Sequence, residues 1–254
     1  MTAPQTETPR PAEPPSSQEE RKFLSGPRPR PVELLSTLLI AWEFLQGFRK
    51  LHFVGPCVTV FGSARFGPDH SYYALGREVG KEIARTGFTT MTGGGPGIME
   101  AANRGAREAG GRSIGCNIQL PAEQKPNAYM DEWVTFEHFY VRKVMLVKYS
   151  YAFIALPGGY GTLDEIFELI TLIQTAKLSN FPVVLMPTEF WAPLVDFIRE
   201  QLAHHGTISK QDVALLTLMD SPKEAAEYVL QTALREFGLT YAARQRKRWW
   251  FWER

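Results

Sequence analysis

The sequence runs to 254 residues, 44% hydrophobic and 22% charged, with a formal net charge of +1. That length allows one sizeable core, and the near balance of charge gives no support to a chain that binds nucleic acid with its whole surface. No stretch approaches the roughly 18 consecutive apolar residues of a membrane span, and the N-terminus lacks the basic-then-apolar order of a secretory signal, so a cytoplasmic protein is expected.

Residues 1–30 (MTAPQTETPRPAEPPSSQEERKFLSGPRPR) are rich in Pro, Ser, Thr and charge and poor in core-forming side chains. Such a segment buries too little to offset the entropy of ordering it, and it is expected to be disordered. Residues 31–53 form a separate unit, an amphipathic helix. Leu34, Leu38, Trp42 and Leu45 fall at helical spacing, and Leu35, Leu39 and Phe44 widen the stripe. This helix is expected to pack on the outside of the main domain or against a partner subunit.

Residues 54–238 alternate short apolar runs with helical patterns. CVTVFGS precedes a helix over about 70–85, GFTTMTGGGPG precedes IMEAANRGAREAG, and SIGCNIQL and EWVTFE read as further strands. FYVRKVMLVKYS, YAFIALPGG and TLDEIFELITLIQ continue as helix, strand and helix. FPVVLM with FWAPLVDFIREQLAHH, then LLTLMD with SPKEAAEYVLQTALREF, complete the series. This order implies an α/β fold, a doubly wound Rossmann-like parallel sheet with helices on both faces, in a single domain. Strands apolar at nearly every position fit a sheet covered on both sides. Cys57 and Cys116 each sit in an apolar run and read as buried thiols rather than a disulfide. In the tail, 239–254, Arg244, Arg246, Lys247 and Arg248 precede Trp249, Trp250, Phe251 and Trp252. A membrane surface, nucleic acid, another subunit or a solvated tail without a role all fit that composition.

In a doubly wound sheet, ligands bind beyond the C-terminal ends of the strands. Three glycine-bearing turns fall there: Gly62-Ser63, Thr92 to Gly97 (TGGGPG) and Pro157 to Thr162 (PGGYGT). The last two each open a helix, where unpaired N–H groups and the helix dipole favour an anion such as phosphate. Tight strand-to-helix packing is the plainer explanation of any one such turn. Neither cluster supplies the lysine of a P-loop, and neither completes G-x-G-x-x-G, which argues against a P-loop NTPase or an ordinary dinucleotide enzyme. Thr162 is placed to cap the helix and offer its hydroxyl to the same phosphate. Glu165 lies three residues on, facing the glycine loop, either as a functional carboxylate or as the acid of a capping box with Thr162. Asp164 points about 100° away around the helix. Arg142-Lys143 opens a helix at the same edge, where arginine suits a carboxylate or a leaving base and lysine suits a phosphate. A solvated helix face is the alternative for that pair.

PGGYGTLDE fits the signature P-G-G-x-G-T-x-x-E, with Arg142-Lys143 upstream at the matching distance. With TGGGPGIMEAANRGA it resembles the Lonely Guy family of cytokinin riboside 5'-monophosphate phosphoribohydrolases over residues 55–235. The resemblance implies Arg142 and Glu165 as the catalytic pair. It implies binding of the nucleotide by Ser63, Gly94, Gly95, Gly97, Glu123, Lys143 and Thr171, and of its 5'-phosphate by Gly158, Gly159, Tyr160, Gly161 and Thr162. It also implies homodimers, with hexamers in some members, and hydrolysis of a cytokinin or AMP-like nucleoside 5'-monophosphate to free base and ribose 5-phosphate. The sequence departs from the compact plant-type pattern before Arg142, where Tyr140-Val141 stands in place of Met-His. No metal and no cofactor are expected, since the five histidines form no ligand pattern. Relatives of this fold suggest an alternative, a non-catalytic carrier of nucleotide or molybdenum cofactor. A lysine decarboxylase would need a pyridoxal-phosphate lysine with its partner groups, and no such constellation is evident.

Overall fold

A computed structural model describes residues 18–120, 126–179 and 181–239. Two helices, α1 (Gln18–Leu24) and α2 (Arg30–Leu51), precede β1 (Cys57–Phe61). There follow α3 (Ser71–Arg85), β2 (Thr89–Thr92), α4 (Ile98–Glu108), β3 (Ser113–Ile118), β4 (Glu132–Phe136), α5 (Phe139–Lys148), β5 (Ser150–Ala155) and α6 (Tyr160–Gln174). The chain closes with β6 (Val183–Leu185), α7 (Thr188–Phe197) running into a π-helical turn, a 3₁₀ turn, β7 (Leu216–Leu218) and α8 (Pro222–Phe237). Among the described residues no helix is long and apolar enough to cross a membrane.

The seven strands form one sheet in the order β4-β3-β2-β1-β5-β6-β7, and each neighbouring pair is parallel. Side chains along a strand alternate between faces, so Cys57 and Phe61 of β1 join one core cluster while Val58 and Val60 join the other. Buried residues of α2, α5, α6 and α7 cover the first face, and those of α3, α4 and α8 cover the second. The doubly wound sheet expected from the sequence is therefore present. Its direction of winding reverses between β1 and β5, which makes the C-terminal ends of these two strands the switch point where such folds hold ligands. Cys57 and Cys116 are buried free thiols.

The N-terminal segment differs from expectation in two respects. Gln18–Leu24, inside the stretch expected to be disordered, is helical, and Phe23 stacks edge-on to His138 and tilts against Tyr140. Burying Phe23 on the main domain supplies what composition alone did not promise. Helix α2 also turns a different face inward: Leu34, Leu38, Trp42 and Leu45 are exposed, whereas Gly47 and Leu51 are buried and Ile40, Phe44 and Phe48 pack on the core. Apolar residues run round most of this helix, so spacing does not select a face. The missing side chain of Gly47 does, because a Cβ there would press on Met145 and Phe136. The rest of the segment expected to be disordered, residues 1–17, and the basic-aromatic tail from 240 onward lie outside the described residues.

Candidate active site

The three glycine turns are joined at the switch point. Ser63 N–H donates to Pro157 O (2.9 Å), Leu156 N–H to Phe61 O (2.9 Å) and Ile98 N–H to Ser63 O (3.0 Å). Backbone contact this close is what the glycines permit. Gly97 has φ +69°, and a Cβ on it would collide with the backbone of Ser63 and Ala64. Ser63 also keeps its hydroxyl occupied, accepting from Arg65 N–H at 3.1 Å.

The Thr92–Gly97 turn is braced from beneath by polar side chains. Gly94 N–H donates to Thr92 Oγ1 (2.9 Å), whose hydroxyl donates to Asn103 Oδ1 (2.6 Å). Asn127 Nδ2 donates to both Gly95 O (3.1 Å) and Asn103 Oδ1 (2.9 Å), and Asn127 N–H donates to Gly94 O (3.0 Å). Gly93, Gly94, Gly95 and Gly97 are all buried. Gly94, Gly95 and Gly97 are expected to contact a ligand; here the Gly94 N–H and the Gly94 and Gly95 carbonyls bond within the protein, and Gly93 forms a floor beneath the Arg142 guanidinium. The sequence reading missed Thr92, Asn103 and Asn127. Asn103 left a signal, since an asparagine on the apolar face of a helix needs a buried partner.

The Pro157–Thr162 turn is open. Gly159 and Gly161 are exposed, and a Cβ on either would meet nothing within 4 Å. Gly159 is the N-cap of α6 and no side chain caps the helix. Thr162 N–H and Leu163 N–H both donate to Gly159 O at 3.0 Å. The N–H groups of Tyr160 and Gly161, ahead of them, are the ones a helix leaves for an outside acceptor. Thr162 thus stands two residues inside the helix, buried against Gly158, and does not cap it. The capping box that would have explained Glu165 structurally is absent for the same reason. Tyr160 is 92% exposed.

Glu165 is only 3% exposed, and its Oε2 has no hydrogen-bond partner. Its Oε1 lies 3.9 Å from Arg142 Nη1, and Arg142 Nε donates to Cys116 O at 2.9 Å. Burial pushes the Glu165 carboxyl up to about 7, with Arg142 and Lys143 pulling against it. A carboxylate desolvated this far, lightly paired and titrating near neutrality, suits proton transfer at physiological pH. Arg142 and Glu165 are therefore brought together as the sequence suggested. Lys143 is not free for a ligand: its Nζ lies 2.9 Å from Asp164 Oδ2 and 2.7 Å from Glu168 Oε2. Burial alone would lower the Lys143 pKa, but bonds to Glu168 and Asp164 leave it raised. Thr171 sits exposed, its hydroxyl donating to Phe167 O at 2.7 Å. It follows Glu165 by six residues, roughly 9 Å along the helix axis, so this chain does not bring it to the Arg142–Glu165 pair. Glu123 lies outside the described residues.

Residues 99–229 match the family model described as "Possible lysine decarboxylase". The chain is 33% identical over 156 residues to the cytokinin riboside 5'-monophosphate phosphoribohydrolase of Rhodococcoides fascians, covering 60% of this chain and 78% of that one. It is 34% identical over 158 residues to the cytokinin riboside 5'-monophosphate phosphoribohydrolase LOG of Oryza sativa, covering 60% and 63%. Among solved structures it is similar to the Moco carrier protein from Chlamydomonas reinhardtii, with a TM-score of 0.51 and 25% identity over 71% of this chain and 99% of that chain. Sheet order, open glycine turn, Arg142–Glu165 pair and these similarities converge, and the chain belongs to the Lonely Guy family.

Proposed function

We propose that this protein hydrolyses the N-glycosidic bond of a nucleoside 5'-monophosphate, a cytokinin nucleotide or an AMP-like one, releasing free base and ribose 5-phosphate. The observation that carries this reading is Glu165: buried, with a partnerless oxygen, raised to about 7 and held 3.9 Å from a guanidinium. The open turn at Gly159–Gly161 receives the 5'-phosphate on the N–H groups that begin α6. Binding energy from that phosphate orients the ribose, so a nucleoside without it reacts poorly. Glu165 takes a proton from water as its oxygen bonds to C1' of the ribose, and it stabilises the positive charge developing there. The C1'–N bond breaks with its electron pair going to the base, which then gains a proton. Arg142, anchored through Nε on Cys116 O, either carries charge on the departing base or orients Glu165.

The description attached to the family model raises lysine decarboxylation, which pyridoxal phosphate chemistry would serve. The residues do not fit that cofactor. Lys143, the lysine beside the glycine turn, is pinned between Asp164 and Glu168 and its pKa is raised. A Schiff-base lysine must become neutral and free to attack. The alternative of a non-catalytic nucleotide or molybdenum-cofactor carrier takes its support from the likeness to the Moco carrier protein. The partnerless buried carboxylate of Glu165 favours hydrolysis over that alternative.

The reading includes a homodimer or larger assembly. Leu34, Leu35, Leu38, Leu39, Trp42 and Leu45 form an exposed apolar face on α2 of a kind that monomers rarely leave to water. It also includes a cytoplasmic setting, which suits two free thiols. Light scattering in solution reads the assembly state, and a monomer at all concentrations would sink that part. The reaction is tested by incubating the protein with AMP, GMP, CMP and isopentenyladenosine monophosphate beside adenosine and identifying products by mass spectrometry. Free base and ribose 5-phosphate from at least one monophosphate, with none from adenosine, is the expected result. Binding of a monophosphate without turnover would instead leave the carrier.

A further inference from the structure

We propose that the N-terminal helices α1 and α2 act as a positioning device for Arg142, with Glu43 as its principal residue. The inference rests on the catalytic role of Arg142 given above. Helix α5, which carries Arg142 in its first turn, receives no cap from the side chain of its own N-cap residue, His138. Two carboxylates from the N-terminal segment do the work. Glu43 Oε1 accepts from Glu137 N–H (2.5 Å) and His138 N–H (3.3 Å), while Glu43 Oε2 lies 2.5 Å from His138 Nδ1. Glu20 Oε1 accepts from Phe139 N–H at 3.0 Å.

These contacts lead straight to the site. The peptide unit on the other side of His138 offers its carbonyl to Arg142 N–H at 3.2 Å. Glu43 therefore holds the residue on which the Arg142 backbone hangs, and the Arg142 side chain continues to Cys116 O and Glu165. Negative charge at a helix N-terminus is favourable through the helix dipole, and here it also meets N–H groups that would otherwise lack partners. Phe23 packs its ring on His138 and Tyr140, which fixes α1 over the same turn. Gly47 lets α2 approach Met145 and Phe136, so the two helices are held at both ends of α5. Glu20 and Glu43 both precede β1, the first strand of the sheet, so the device is contributed by the segment N-terminal to the sheet.

Catalysis that depends on a group held in place loses rate when the holder goes, even when affinity is kept. The test compares Glu43→Ala, Glu43→Gln and Glu20→Ala with the full-length protein, measuring kcat and KM for the preferred monophosphate and amide hydrogen exchange. For Glu43→Ala a kcat reduced on the order of tenfold with KM nearly unchanged is expected, together with faster exchange over residues 139–148 and unchanged exchange over 160–174. Glu43→Gln keeps an acceptor for both N–H groups and should restore most of the rate, which loss of general stability would not predict. Should Glu43→Ala fail to fold, Glu20→Ala and Glu43→Gln carry the test, with Glu20→Ala expected to lower kcat by a smaller factor and to speed exchange in 139–148. Unchanged exchange in 139–148, or a kcat equal to wild type despite faster exchange, would overturn the proposal. A wild-type protein inactive on every monophosphate would overturn the hydrolase reading instead, and exchange in 139–148 alone would then decide whether the two acids hold α5.

Discussion

The two glycine turns at the switch point look alike in sequence, and each opens a helix, yet they are built for different tasks. In Thr92–Gly97 the glycines are buried, the backbone is bonded to Thr92 and Asn127, and a side chain at Gly97 would strike the neighbouring loop. In Pro157–Thr162, Gly159 and Gly161 are exposed with open space beside them, and the helix they begin is uncapped. The first turn uses missing side chains to let protein approach protein, and the second leaves open space at a helix N-terminus, where the proposed function seats the phosphate. A glycine cluster signals close approach, and only its surroundings say what approaches.

Alanine substitutions break the comparison from both sides. Gly97→Ala has the largest expected effect, because a residue with φ +69° would press on Ser63 O and Ala64. Thermal unfolding should report a loss of about 3 kcal/mol. Second comes the contribution of Glu165 to stability. Its carboxyl is raised from 4.5 to about 7, so the folded state binds the proton more tightly than the unfolded state does. The resulting stability is fully present below pH 4.5 and is lost as pH rises through 7. Relative to Glu165→Gln, the wild type should therefore lose on the order of 3 kcal/mol between those limits in denaturant titrations. The same ionisation should give kcat/KM a rising limb near pH 7, with the base active above it.

Gly161→Ala is the counterpart in the open turn. Nothing crowds the new methyl within the protein, so folding should be unchanged or improved by about 0.5 kcal/mol. Monophosphate KM should rise about tenfold as the methyl narrows the approach to the helix N-terminus. A Gly161→Ala variant that unfolds like Gly97→Ala would erase the distinction between the turns. Thr171→Ala should change least, within about 0.5 kcal/mol in stability and without effect on KM, because Thr171 is exposed and bonded to its own helix. A raised KM there would mean that Thr171 serves a cleft other than that of its own chain.

The sheet was legible because buried parallel strands and their crossover helices impose two different periods on one sequence. The proximity of Arg142 and Glu165 was legible from a specific nine-residue signature and the Arg-Lys pair upstream of it. The ion pairs of Lys143 were not legible, because its partners Asp164 and Glu168 come from another helix and reach it only through tertiary packing. The cap expected at Thr162 lies three residues earlier, at Gly159, because the start of α6 depends on the backbone turn there and not on the presence of a good capping residue. The inward face of α2 was hidden by a second, leucine-rich apolar face that the helix leaves exposed, and the contact between Glu43 and His138 spans 95 positions. Asn127 lies in the connection between β3 and β4, and its role under the first glycine turn appears only in three dimensions.

The most direct measurement is single-turnover hydrolysis of the preferred monophosphate by the wild type and by Glu165→Gln, with affinity for that monophosphate determined in parallel. Glu165→Gln should bind it within a few-fold of wild type and release free base at least about 100-fold more slowly. Turnover by Glu165→Gln at the wild-type rate, or monophosphates bound by wild type with no free base released from any of them, would contradict the account.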